Sequence, residues 1–427
     1  MKWLLPTLLV ACSGETGTIQ LELVTAPGSA VLDGVDRLRV TLTDPLTIVD
    51  APRTASGFDV TLDVEATGTA GTLIVEGFDA SDAVIATGES PPFAVSAISA
   101  RIVIYIAAPL TIALAPTRLP AERIGVASTP LTFGFALAGG EATDGTRSDS
   151  IFIYNAFDHS LLAGKEMPAP RTFQTLATGS NNTIYLFGGL GSDGAPTGSL
   201  WRFDTNVPPN GSYALQPDQV DLARAGAMAV AIEPERFVIT GTPPIDLTFG
   251  TATARTDVPT LLAGAGIVID GVPTAVFGGE PILRLRDNTI EELRFGTEPD
   301  VVAAAVGDSF VVFPSFRGTT EIAFVSARTL DDPGMFLDLQ STVRRRPAVA
   351  ATSRHLVVAG GTDDAGVAIP SADIIDLATL ALVTTVPCFA RAGATAHAMP
   401  NNQIAIVGGE PANDLIELFT PPSPGLD

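Results

Sequence analysis

The chain has 427 residues, 46% of them apolar and 17% charged, with a formal net charge of −23 at pH 7. That length is too great for one ordinary core and predicts two domains. No apolar run approaches the roughly 20 residues of a membrane-spanning helix, and so acidic a surface repels nucleic-acid phosphates and anionic head groups, which argues against nucleic acid as a partner.

The chain opens MKWLLPTLLVAC: one lysine, an apolar run from Trp3 to Ala11, then a small residue before Cys12. This is the plan of a secretory signal, shorter than the usual stretch of about 15–30 residues, and the shortness suggests a start codon further upstream. Leu9-Val10-Ala11-Cys12 resembles the lipobox of bacterial lipoproteins. The small residues admit the peptidase and the thiolate accepts the diacylglycerol. The resemblance implies that residues 1–11 are a signal peptide, that Cys12 is the lipid-bearing first residue of the mature protein, and that 12–17 is a tether. Ser13 rather than Asp after the cysteine implies the outer membrane of a bacterial cell envelope. Each buried acyl CH₂ contributes about 0.8 kcal/mol, so several chains anchor a protein without other lipid contacts. Cys388 is then the one remaining cysteine, no disulfide is expected, and the context PCFAR reads as a small buried hydrophobe.

Residues 18–109 contain TIQLELV, RLRVTLT, FDVTLDVE, TLIVEGFD, AVIATG and ARIVIYIA, separated by turn clusters such as APGS and DASD. About seven short strands in some 90 residues predict an immunoglobulin- or fibronectin-like β-sandwich. It lacks the Cys–Trp–Cys core of antibody domains, and its expected task is to hold the rest of the chain away from the membrane.

From residue 111 to 420 a unit recurs: FALAGG, IYLFGG, RFVITG, TAVFGG, SFVVFP, LVVAGG and IAIVGG end at 140, 189, 241, 279, 314, 361 and 409. An Arg-led strand of small residues precedes most of them, as in RTFQTLATG and RAGATAHAM, and another apolar strand follows, as in SLWRFD and DLIELF. Repeats of 35–52 residues indicate propeller blades of four strands each. The four-part pattern with its double glycines resembles the kelch repeat, which implies an all-β chain whose second domain is a seven-bladed kelch-like β-propeller. The third and fourth units are short, and the fifth ends in Phe313-Pro314. The last unit lacks a fourth strand while TIALAPTRLP (111–120) has no preceding three, so residues 111–117 are expected to pair with the strand at 414–419 and close the ring. The remaining 421–427 form a tail.

Gly189-Leu-Gly191-Ser-Asp-Gly194 matches G-x-G-x-x-G, but turn formers and another strand follow it instead of a helix, so a turn is expected and not a phosphate loop. His159, His355 and His397 fall in different units without zinc-ligand spacing, and each is expected to be a surface or satisfied core histidine. Some kelch-like propellers are copper-radical oxidases similar to galactose oxidase; Tyr105, Tyr154, Tyr185, Tyr213 and Cys388 make no evident grouping with the histidines in sequence. Neither a metal, a cofactor nor a catalytic set is expected.

The sharper set is Arg123, Arg171, Arg224, Arg346 and Arg391, which stand 17, 18, 17, 15 and 18 residues before Gly140, Gly189, Gly241, Gly361 and Gly409. Antiparallel pairing brings them to the end of the ring that holds the glycine turns, beside loops carrying Asp193, Asp363 and Asp364. Kelch proteins that grip acidic peptides use arginines on this face, and a guanidinium suits a carboxylate. Against a ligand role, the acids of those loops, Glu141 and Asp144 included, are available to consume the arginine charge in ion pairs. Asp363-Asp364 also suits a hard cation, though aspartate is the ordinary turn residue here. The expected function is a lipid-anchored, extracytoplasmic binding or scaffold protein with a protein or glycan ligand on the propeller face. The alternative is an extracytoplasmic enzyme acting on carbohydrate or cell wall through paired loop carboxylates.

Overall fold

The computed structural model describes residues 16–424 except 56, 66–67, 96–99, 287–288, 294, 315–319, 330–334 and 339–342. The signal, Cys12, most of the tether and the last three residues lie outside the described residues. The described chain is β throughout; its helical segments are the short 3₁₀ turns Ser180–Asn182 and Val220–Leu222. No helix among the described residues is long and apolar enough to cross a membrane.

Strand alternation organises residues 16–107. In Arg37–Thr43, Leu38, Val40 and Leu42 are fully buried while Arg37 and Arg39 turn outward to Asp50 on the neighbouring strand. That strand belongs to a four-stranded antiparallel sheet with Leu46–Pro52, Leu73–Phe78 and Val84–Glu89. A second sheet joins Thr16–Val24 antiparallel to Thr61–Glu65 and parallel to Ala100–Tyr105. The two sheets share one apolar core, with Ile19, Leu62, Val64 and Ile104 from one meeting Leu38, Val40, Leu73 and Val75 from the other.

From residue 111 on, strands assemble into seven antiparallel sheets of four. The second sheet is typical: Thr175–Thr178, Thr183–Phe187, Leu200–Asp204 and Ser212–Leu215 pair in chain order. Its second strand is buried at every position, as are those of the first and sixth sheets, Gly134–Ala138 and His355–Ala359. A strand buried on both faces needs apolar cover above and below, and the neighbouring sheets supply it. Phe187 and Leu200 of the second sheet, for instance, share a cluster with Phe237 and Leu247 of the third.

The first strands of successive sheets lie side by side, from Ala127–Leu131 through Thr175–Thr178, Ala229–Glu233, Gly264–Ile269, Ala304–Val306, Ala348–Ala351 and Ala392–Ala398. The last of these also lies against Ala127–Leu131. Small residues dominate there because these strands crowd together.

The seventh sheet draws on both ends of this region. Its order runs Thr111–Leu114, Ile416–Thr420, Ile404–Glu410, Ala392–Ala398, with Thr111 opposite Thr420 and Leu114 opposite Glu417. Pairing of residues 111–114 covers what is otherwise an open sheet edge along Ile416–Thr420. Ile112, opposite Phe419, packs against the core between the sixth and seventh sheets. Ile112→Asp is expected to lower the thermal midpoint by roughly 4–10 °C, the effect of placing a charge in a partly buried strand of a domain this size. A melt unchanged by circular dichroism would show that this strand contributes nothing.

Candidate functional site

Glycine turns end six of the seven second strands and supply the local geometry. Gly188 and Gly189 have φ of +64° and +79°, and Gly360 and Gly361 have +64° and +86°. A Cβ on Gly188 would sit 2.5 Å from Arg224 O, and one on Gly360 2.4 Å from Arg391 O. Both the left-handed backbone and the close approach of the next sheet's lead-in therefore demand glycine. The G-x-G-x-x-G segment at 189–194 is a turn: Gly191 N–H donates to Ala195 O at 2.9 Å and Gly194 N–H to Gly191 O at 2.9 Å before the strand at Leu200.

The arginines act on these turns twice. The backbone carbonyls of Arg171, Arg224 and Arg391 accept from Gly140, Gly189 and Gly361 of the preceding sheet at 2.9, 2.8 and 2.7 Å. Their guanidinium groups reach instead to their own sheet's turn. Arg123 Nη1 donates to Gly139 O, Arg171 Nη1 to Gly188 O, Arg224 Nη1 to Thr240 O and Arg391 Nη1 to Gly408 O, at 3.1–3.2 Å. A second acceptor precedes the third strand in several cases, such as Ser199 O for Arg171 and Pro243 O for Arg224.

The fifth member differs from the one expected. Arg344, not Arg346, holds this position: its Nη1 donates to Gly360 O at 2.9 Å and Ser371 O at 2.8 Å, and its Nε to Asp373 at 3.0 Å. Arg346 is 47% exposed and faces Glu410 at 3.9 Å. Three consecutive arginines, 344–346, made the assignment ambiguous by residue type. Spacing resolves it, since Arg344 stands 17 residues before Gly361, in step with the other four, and Arg346 only 15.

Three of these groups lie inside the protein, while Arg123 and Arg224 are only partly buried. Arg171 and Arg391 are each 1% exposed, Arg344 4%. Burial holds the Arg391 guanidinium below its usual range despite Glu417 beside it at 2.6 Å. Arg171 is pushed down to about 10, also by burial, against the opposing pull of Asp218; it lies 3.5 Å from the centroid of Trp201, whose indole face adds negative potential, and bonds to Ser199 Oγ.

The loop acids are occupied as well. Asp193 Oδ1 accepts Ala195 N–H at 2.9 Å, and Asp363 Oδ1 accepts Ala365 and Val367 N–H at 2.9 and 2.8 Å, each shaping its own turn. Asp144 does the same for Thr146, Asp364 pairs with Arg345 at 3.2 Å, and Glu141 pairs with Arg147 at 2.9 Å. Among the described residues no three His, Cys, Asp or Glu side chains gather as a metal site. Cys388 is half-buried, and burial pushes its thiol up to about 11.

One grouping was hidden in sequence. Tyr105, Tyr154 and His159 converge where residues 16–107 meet the first and seventh sheets. Tyr105 N–H donates to His159 Nε2 at 3.3 Å, which leaves Nδ1–H to donate to the Tyr154 hydroxyl at 2.8 Å, and Tyr105 donates its own hydroxyl to Leu114 O at 2.9 Å. No local periodicity links residues 105, 114 and 159; only the fold does. His397 Nε2 meets Ser128 Oγ at 2.7 Å across the contact between the seventh and first sheets. Both histidines are buried core residues, whereas His355 Nδ1 is buried without a hydrogen-bond partner.

An open space at the turn end lies between the fourth and fifth sheets. A cleft of about 540 Å³ is walled by Pro259, Thr260 and Leu262, by Gly279 and Glu280, and by Thr297, Glu298 and Pro299. Sequence reasoning did not single out this place. Its signal was negative: the short fourth unit and the Pro314 ending of the fifth mark the two units without the arginine.

No family model matches the sequence, and no curated protein matches it at a significant level.

Arg391→Ala strands the Glu417 carboxylate in the interior and is expected to cost about 3–5 kcal/mol in urea unfolding, while Arg346→Ala at the exposed site changes stability by less than about 0.5 kcal/mol. Equal effects would show that the two arginines are interchangeable.

Burial pushes His159 down to about 4 from an ordinary 6.5. The folded protein thus binds fewer protons than the unfolded chain between those values, and the stability present at neutral pH is lost as pH falls through 6.5 towards 4. His159→Asn tolerates the residue's φ of +54° and removes this loss. The stability difference between parent and variant is expected to shrink by about 2–3 kcal/mol from pH 7 to pH 4.5; a constant difference would place His159 in a site where it protonates freely.

Proposed function

We propose that the chain is a lipid-anchored, extracytoplasmic binding protein of a bacterial cell envelope. In this reading residues 111–420 are a seven-bladed kelch-like β-propeller, closed by strand 111–114, and residues 18–109 an immunoglobulin-like β-sandwich that acts as a spacer. The observation that carries it is the cyclic neighbour order of the seven first strands, joined to the sharing of one sheet by the two ends of the region. Two sheets around one core support the sandwich. The Leu9–Cys12 lipobox supports anchoring at Cys12 and an outer-membrane address.

A ring of sheets, five of whose turns are tied down by arginines and three of those buried, is a rigid platform. Rigidity lowers the ordering cost of binding, so the loops it carries suit recognition of a protein or glycan. The loop acids stabilise their own turns, which favours a binding role over a hydrolase using those acids as catalysts.

Expressed in a bacterium fed an alkyne fatty acid, the full chain is expected to take up label and fractionate with membranes, and Cys12→Ser to lose both. Membrane association and label retained in Cys12→Ser would refute the anchor. Binding of the extracted protein to a glycan array or to purified envelope proteins, lost when the 362–371 loop is replaced without a change in melt, tests the ligand face.

A further inference from the structure

Strand Val84–Glu89 ends where residues 16–107 meet the seventh sheet. Thr87 N–H donates to Ala107 O at 2.8 Å and Ala107 N–H returns to Thr87 O at 3.1 Å, and Ala107 packs in one cluster with Ala405 and Leu418. Glu89 stands opposite Ile74, on the face of its sheet turned away from the core that holds Leu73 and Val75. That face is covered here, for Ile74 is only 5% exposed.

A cavity of about 10 Å³, room for one water, lies at this joint. Glu89 lines it, together with Asn401 and Gln403 of the turn before Ile404–Glu410 and with residues 420–424. Asn401 Nδ2 donates to Gln403 Oε1 at 2.7 Å, and Gln403 Nε2 to Thr420 Oγ1 at 3.2 Å. Asn401 Oδ1 is left over: the residue is fully buried and this oxygen has no hydrogen-bond partner. Pro421, Pro422 and Pro424, which also line the cavity, have no N–H to give it.

An orphaned acceptor needs a donor, and the donor capacity of Glu89 depends on its proton. A neutral carboxyl has one O–H to give, directly or through one water, and a carboxylate has none. Among the described residues no other charged group lines the cavity. On the same sheet face Glu76 stands opposite Thr87 and Arg39 opposite Glu76, both outside the lining. Behind Gly88, whose Cβ would sit 2.4 Å from Tyr105 O, lie Tyr105 and His159. Residues 420–424 carry no charge. The Asn402 side chain bonds to the Glu89 carboxylate and favours it, yet burial outweighs that bond and pushes the acid up to about 7.

We infer that Glu89 and Asn401 form a proton-operated latch between residues 16–107 and the seventh sheet. It is shut while the neutral carboxyl serves Asn401 Oδ1, and it is released when ionisation sets a carboxylate beside that unmet oxygen. The folded protein holds this proton up to about pH 7, whereas an unfolded glutamate holds it only to about 4.5. The contribution is therefore complete below 4.5 and is lost as pH rises from there through 7. His159, at the same joint, works in the opposite sense, losing its contribution as pH falls from 6.5 towards 4. The latch stands apart from the anchor and the ligand face proposed above.

Two measurements on the full chain test it. The Glu89 carboxyl, followed by carbon-13 NMR, is expected to titrate near pH 7; a midpoint near 4.5 would overturn the latch. Hydrogen exchange, corrected for intrinsic rates, reads the joint itself. Protection of residues 84–89 and 404–410 is expected to fall about tenfold or more between pH 5.5 and 8.5. In Glu89→Gln, whose amide keeps a donor at every pH, it is expected to change less than about twofold over the same range. Unchanged protection in the parent, or an equal fall in Glu89→Gln, would refute the role of this proton. Protection restored at pH 8.5 by about 10 mM Ca²⁺ or by Na⁺ in place of K⁺ would show that the cavity takes a cation instead, and would likewise overturn the inference.

Discussion

Everything in residues 111–420 follows from one constraint: a four-stranded sheet with two apolar faces cannot cover itself. Gly134–Ala138, Thr183–Phe187 and His355–Ala359 are buried at every position, so each must have a neighbour on either side. A row of such sheets has two bare ends unless the last meets the first. The contact of Ala392–Ala398 with Ala127–Leu131, and the cluster in which Phe135, Tyr154, Ala405 and Leu418 pack together, remove those ends. Burial thus accounts for the cyclic neighbour order of the first strands, the order on which the proposed propeller rests.

The polar chemistry at the turn end serves the same requirement. Strands that stop in a crowded place leave carbonyls facing inward, and a buried carbonyl without a donor costs as much as a lost hydrogen bond. Arginine is suited to this because one side chain reaches two carbonyls while its own backbone carbonyl binds the preceding sheet. The cost is a cation in the interior, met by Glu417 at Arg391, by Asp373 at Arg344 and by the Trp201 ring at Arg171. The same economy explains why Asp193 and Asp363 are turn formers: their oxygens satisfy backbone N–H groups that the tight loops leave over.

Attachment of residues 16–107 to the rest depends on a different device. His159, with φ of +54°, places its ring between Tyr105 and Tyr154, and its carbonyl accepts the Thr117 hydroxyl at 3.3 Å. A neutral imidazole donates through one nitrogen and accepts through the other, which lets it join an N–H on one side to a hydroxyl on the other. The joint is closed to solvent, and burial explains why the imidazole stays uncharged.

The sequence by itself determined the strands, the recurrence of the glycine turn in six of seven units and the spacing of its arginines, because alternation, glycine and a fixed residue count are local properties of the chain. It also pointed to the pairing of residues 111–114 with the last strand, since both ends of the repeat were visibly incomplete. Residue type did not show which of Arg344, Arg345 and Arg346 enters the interior; only the 17-residue step from Arg344 to Gly361 singles that one out. Nor did the sequence reveal the convergence of Tyr105, Tyr154 and His159, or the cleft walled by Thr260 and Thr297. Contacts between residues tens of positions apart, and the spaces between sheets, exist only once the sheets have packed, because packing alone brings distant surfaces within hydrogen-bonding reach.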